Sequence, residues 1–67
     1  MKYRVLVTKT LDVPKNMYTA LYVTEEDAKK EAQQKLVELD GDVAIVTKLV
    51  GGNAKVIHTF EKARKAS

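Results

Sequence analysis

The stretch from Thr24 to Leu39, TEEDAKKEAQQKLVEL, restricts most strongly what this chain can fold into. Ala28, Ala32, Leu36 and Leu39 are spaced four, four and three apart, so a helix gathers them into one apolar stripe. The stripe is narrow at its start and bulkier at its end, and its alanines let the first half lie close against a sheet. Thr24 is an N-cap, and Asp27 three residues later can form the reciprocal half of a capping box. Glu25, Glu26 and Asp27 place negative charge in the first turn, where the helix dipole favours it. Glu25–Lys29, Glu26–Lys30 and Glu31–Lys35 are i,i+4 pairs in the favourable order, each worth about 0.2–0.5 kcal/mol. Asp40-Gly41-Asp42 ends the helix, with Gly41 expected as the left-handed cap residue.

Strand-like segments flank this helix on both sides. Residues 3–11, YRVLVTKTL, put Tyr3, Val5, Val7 and Leu11 on one parity and Arg4, Leu6, Thr8 and Thr10 on the other. That alternation fits a sheet buried on one side. Residues 12–16, with Pro14, form a turn. Met17 to Val23 returns as a second strand whose two parities are both fairly apolar. Leu21 and Val23 are expected inward, because the first helical turn follows directly, which leaves Tyr18 and Tyr22 outward. Asp42 to Val50 is rich in β-branched residues, Gly51-Gly52-Asn53 is a hairpin turn, and Ala54 to Phe60 is a fourth strand.

The expected fold is therefore α+β, ββαββ. A right-handed crossover through the helix, with the first strand inserted between the second and third, makes a four-stranded antiparallel sheet of order 2-1-3-4. The helix covers one face. The expected inner set is Val5, Val7, Leu21, Val23, Val43, Ile45, Leu49, Val56 and Phe60 against Ala28, Ala32, Leu36 and Leu39. Residues 1–60 form the single domain, and residues 61–67, EKARKAS, a charged tail that frays.

At 67 residues there is room for one small core, and a chain this short buries only about 60% of its unfolded surface. It has no cysteine, so disulfides and thiolate metal sites are excluded. No run approaches the roughly 18 apolar residues that span a bilayer, and MKYRVLVTKT lacks the apolar core of a signal peptide. The expected setting is soluble and cytoplasmic. A formal net charge of +3 is too small to argue nucleic acid by itself.

The residue types that carry chemistry have structural explanations. His58, the one histidine, lies on an inner parity between Val56 and Phe60 and reads as a core histidine. The one serine is Ser67, at the terminus, so no Ser-His-Asp arrangement is available. Asp40 and Asp42 lack the further oxygen ligands of a calcium loop, and no helix follows Gly51-Gly52-Asn53 to make it a phosphate loop. No catalytic residue, cofactor or metal is expected, and the chain is not expected to be an enzyme.

The outer sheet face is the more informative surface, because one helix covers only one side. Arg4, Leu6, Tyr18, Tyr22, Val46, Lys48, Val50, Lys55 and Ile57 are expected there. Exposed apolar patches of a few hundred Å² mark interaction sites, and interfaces favour tyrosine and arginine. Partner binding is assigned to Arg4, Tyr18, Tyr22, Val46, Lys48, Val50, Lys55 and Ile57. On this assignment Tyr22→Ala weakens binding and leaves the melting temperature nearly intact. The same face admits a nucleic-acid reading, with tyrosines stacking on bases and Arg4, Lys48 and Lys55 on phosphates. It also admits self-association.

The layout of a strand hairpin, then YVTEEDAKKEAQQKL, then GDVAIVTKLV, resembles small phage-encoded host-takeover proteins. It is most similar to the short podophage inhibitors of bacterial RNA polymerase, and small anti-CRISPR proteins are similar in size and mixed α+β character. The resemblance spans Tyr3 to Val50. It implies a non-enzymatic protein in the host-cell cytoplasm that binds a host protein assembly and inhibits or redirects it. In the polymerase inhibitors, basic side chains on the strand after the helix contact the target. Lys48 is the comparable residue here, Val50 stands where a second basic group would be wanted, and Ala54 to Phe60 is an added strand.

Overall fold

A computed structural model describes residues 2–9 and 15–62. The elements run β1 (Lys2–Lys9), β2 (Lys15–Tyr22), α1 (Glu25–Glu38), β3 (Val43–Val50) and β4 (Asn53–Glu61). The sheet order is β2-β1-β3-β4 and every neighbouring pair is antiparallel. This is the ββαββ arrangement that the pattern implies. The turn around Pro14, the strand end at Leu11 and tail residues 63–67 lie outside the described residues.

Helix α1 begins as its sequence dictates. Thr24 is extended, and its hydroxyl accepts a hydrogen bond from the Asp27 amide at 3.2 Å, satisfying one of the orphan donors of the first turn. The helix ends in a Schellman motif. Gly41 donates its amide to the Leu36 carbonyl at 3.0 Å and Asp40 donates to Val37 at 3.2 Å. Here the expectation for Gly41 is corrected, since the left-handed residue is Asp40, with φ 55°. Aspartate tolerates this region better than most residues. Gly41 is required for space: a Cβ there would lie 2.5 Å from Val7 Cγ1 and 3.4 Å from the Thr8 carbonyl. At Gly51 the need is the reverse. Nothing crowds that position, but its φ of 58° at the first place of a two-residue hairpin loop suits glycine.

The buried core consists of Tyr3, Val5 and Val7 of β1, Ala44 and Val46 of β3, and Ala28, Ala32 and Leu36 of α1. The helix lies mainly over the two central strands. Its two alanines meet a sheet whose central inward residues are valines and one further alanine, so helix and sheet approach closely. The helix stripe and the β1 face match expectation, except that Leu39 is the C-cap and only half-buried.

The faces of β2 and β3 are inverted relative to the expected inner set. Tyr22, Ala20 and Tyr18 pair with Tyr3, Val5 and Val7, which places them on the helix side, while Leu21 and Val23 are 54% and 78% exposed. Val46 and Ala44 pair with Val5 and Val7, so Val43, Ile45 and Leu49 take the opposite face. At the Gly41 end, where Leu36 and Val7 meet, β3 contributes the small Ala44, and the long tyrosines of the edge strand pack on the flank of the core. In β4 the parity changes partway. Val46 pairs with His58 and Thr47 with Val56, so Ile57 is an extra bulged residue. Phe60 and His58 therefore face the helix as expected, whereas Val56 turns to the open side.

The close approach makes a specific prediction. Gly41→Ala forces Val7 or the helix C-terminus to shift, and we expect it to lower stability by about 1–3 kcal/mol, read as a fall in the thermal unfolding midpoint; Gly52→Ala, at an open position, leaves that midpoint nearly unchanged.

Candidate interaction face

The side of the sheet away from the helix is built in cross-strand rows. Leu21, Arg4, Thr47 and Val56 make one row, and Thr19, Leu6, Ile45 and Thr59 the next. On one side of these lie Lys2, Leu49 and Ala54, and on the other Asn16, Thr8, Val43 and Glu61. No element covers them among the described residues. Leu6, Val43, Ile45 and Leu49 are half-buried by their neighbours, while Leu21 and Val56 are more than half exposed. The face is aliphatic and threonine-rich, and its charged residues are Lys2, Arg4 and Glu61.

This differs in membership from the face expected from the sequence. Arg4 and Leu6 are where they were expected. Val46 is fully buried in the core. Lys48 and Lys55 pair with each other and share the helix side with Tyr3, at the end of the sheet where the acidic first helical turn begins. Ile57 packs against the core from its bulge, and Val50 ends its strand at the hairpin, 47% exposed. Leu21, Ile45, Leu49 and Val56, once expected inside, form the open surface instead. A usable signal lay in Ala44, whose small side chain matches Ala28 and Ala32. The bulge at Ile57 has no comparable mark.

Tyr18 and Tyr22 are half-buried against the core and joined hydroxyl to hydroxyl at 2.6 Å. The Lys35 ammonium lies 5.5 Å from the centre of the Tyr18 ring, within cation–π range. Burial, the Tyr18 hydrogen bond and nearby Glu31 push the Tyr22 phenol above its ordinary range, so that ring is neutral near neutral pH. Lys35 also approaches Glu38 at 3.5 Å, and Glu25 reaches His58 at 3.4 Å. The three i,i+4 pairs expected along the helix do not form among the described residues; Glu25 and Lys35 take the other partners just named, and such exposed pairs are weak. His58 stacks nearly parallel on Phe60, with ring centres 6.1 Å apart, and joins β4 to the first turn of the helix.

A groove of about 490 Å³ lies between the last turns of α1 and the end of β4, lined by Leu36, Val37 and Phe60 under a polar rim. At that rim Asp40 pairs with Lys62 and, at 3.6 Å, with Lys9. The Lys62 hydrogen bond and both cations hold the Asp40 carboxyl below its ordinary value, and the same contact raises Lys62. The backbone reinforces this corner: Asp42 donates to Thr8 and accepts from Lys62, both at 2.9 Å. Among the described residues no group of three or more His, Asp or Glu could hold a metal ion, and no helix is long and apolar enough to cross a membrane.

Comparison with protein-family models, with curated proteins and with solved structures yields no match to this chain.

Two measurements follow from these placements. Tyr22→Ala removes a half-buried ring and strands the Tyr18 hydroxyl, so we expect a loss of about 1–3 kcal/mol in denaturant unfolding. An unchanged midpoint would put Tyr22 on the open face. For the corner ion pairs, Asp40→Asn keeps the left-handed backbone tolerable and removes the charge. Asp40 is lowered, so its contribution exists above 3.8 and disappears as pH falls through the lowered value. Lys62 is raised, so its contribution exists below 10.5 and disappears as pH rises through the raised value. The small gap in melting temperature between wild type and Asp40→Asn should therefore be level from about pH 5 to pH 9 and close at both extremes.

Proposed function

We propose that this chain is a non-enzymatic protein-binding module that docks its open sheet face on another protein. The observation that carries this reading is the uncovered side of the sheet, where Leu6, Leu21, Ile45, Leu49 and Val56 lie close together with few charges. Depletion of charged residues is the compositional sign of an interface core. An edge-strand mode is less suited to the fold. Both edge strands carry a bulge, at Met17 in β2 and Ile57 in β4, and bulged edges pair poorly with an added strand.

The nucleic-acid alternative loses ground for a specific reason. All three tyrosines and the phenylalanine lie on the helix side, as does His58, so the open face offers no ring for a base to stack on. Lys48 and Lys55 are also on the helix side, leaving Lys2 and Arg4 as its cations. The similarity in layout to small phage host-takeover proteins makes a bacterial protein assembly the class of partner proposed, with inhibition or redirection as the outcome of binding.

The test is affinity capture from nuclease-treated bacterial lysate with wild type, Val56→Glu on the open face and Lys30→Ala on the exposed helix surface. One stoichiometric protein partner is expected with wild type and Lys30→Ala, weakened at least about tenfold by Val56→Glu. Equal capture by Val56→Glu, or recovery that nuclease abolishes, would sink this reading.

A further inference from the structure

The open face also has properties that suit it to a second copy of this chain, and we infer that the free protein is a twofold homodimer joined face to face through it. The area fits a weak, concentration-dependent dimer. Four strands at about 4.8 Å spacing make a face about 19 Å wide, so two such faces crossed steeply overlap over about 400 Å² each and bury about 800 Å² together, the size of a weak interface. The need is also present. The core of the described residues contains eight buried apolar side chains, three of them alanine, and no cysteine is available to staple it. Domains this small and unstapled gain stability by oligomerising, and a second sheet would turn a one-sided core into a layered one.

Charge supplies the orientation. Arg4 of β1 sits in the Leu21–Thr47 row, while Glu61 of β4 sits in the Thr8–Val43 row. The two lie diagonally across the face with Ile45 near the midpoint. A twofold axis lying in the face, over Ile45 and perpendicular to the Arg4–Glu61 line, brings each Arg4 onto Glu61 of the other copy. It crosses the strands of the two sheets at a steep angle, close to the orthogonal class of sheet packing. Other axes in the face leave the arginines without an acidic partner.

This dimer needs no host partner, so its test uses the purified full chain alone, and its failure leaves the partner-binding reading standing. Sedimentation equilibrium from about 10 µM to 0.5 mM should show wild type rising to twice the mass of one chain. Val56→Glu, with its folded circular dichroism spectrum intact, should stay at the mass of one chain over the same range. Arg4→Glu and Glu61→Arg should each weaken association at least about tenfold, and the double reversal should restore it, as a direct charge pair requires. A wild type that remains single, a Val56→Glu that associates normally, or a double reversal no stronger than the singles would each overturn the dimer.

Discussion

The structure depends on how closely one helix can approach two strands. Ala28 and Ala32 bring α1 down onto β1 and β3, where Val5, Val7, Ala44 and Val46 are small enough to lie beneath it. Gly41 completes the approach, because any side chain there would collide with Val7. Close packing of this kind stabilises through many short contacts more than through large buried area. The larger side chains are consequently displaced, with the tyrosines moved to the flank of the helix and the isoleucine and leucines to the far side of the sheet.

That displacement explains which parts of the fold were legible in the amino-acid order. Element types, strand order, the Thr24 cap, the apolar helix stripe and the inward parity of β1 all follow from local periodicity and capping chemistry, and all are present. The faces of β2 and β3 do not follow, because both parities of each strand are apolar and hydropathy cannot choose between them. Volume chooses instead, and volume is a property of the helix–sheet pair, not of the strand. Placing Val43, Ile45 and Leu49 in the interior put Val46 outside, and placing Leu21 and Val23 there beside the first helical turn put the tyrosines outside. In β4 the difficulty is different, since one extra residue at Ile57 shifts the register and reverses the assignments of the residues before it, Val56 and Lys55, when they are counted back from Phe60.

The candidate site inherits these errors in membership while its location holds. One helix leaves one sheet face bare, and that conclusion needs only the element count. What occupies the bare face matters for its chemistry. With tyrosines and lysines it would have suited bases and phosphates; with leucine, isoleucine, valine and threonine its composition supports the proposed docking on another protein. Moving the aromatic rings to the helix side therefore changes the class of partner proposed and leaves the surface itself in place.

The bulges at Met17 and Ile57 have a consequence beyond register. A flat sheet with two regular edges can add copies indefinitely, each new strand exposing another identical edge, and such growth ends in fibres. Here both free edges are interrupted, so hydrogen-bonded growth has no repeating template. Association through the face, by contrast, is closed once two surfaces have met. The same chain can thus display an apolar surface to its surroundings while remaining protected against open-ended polymerisation.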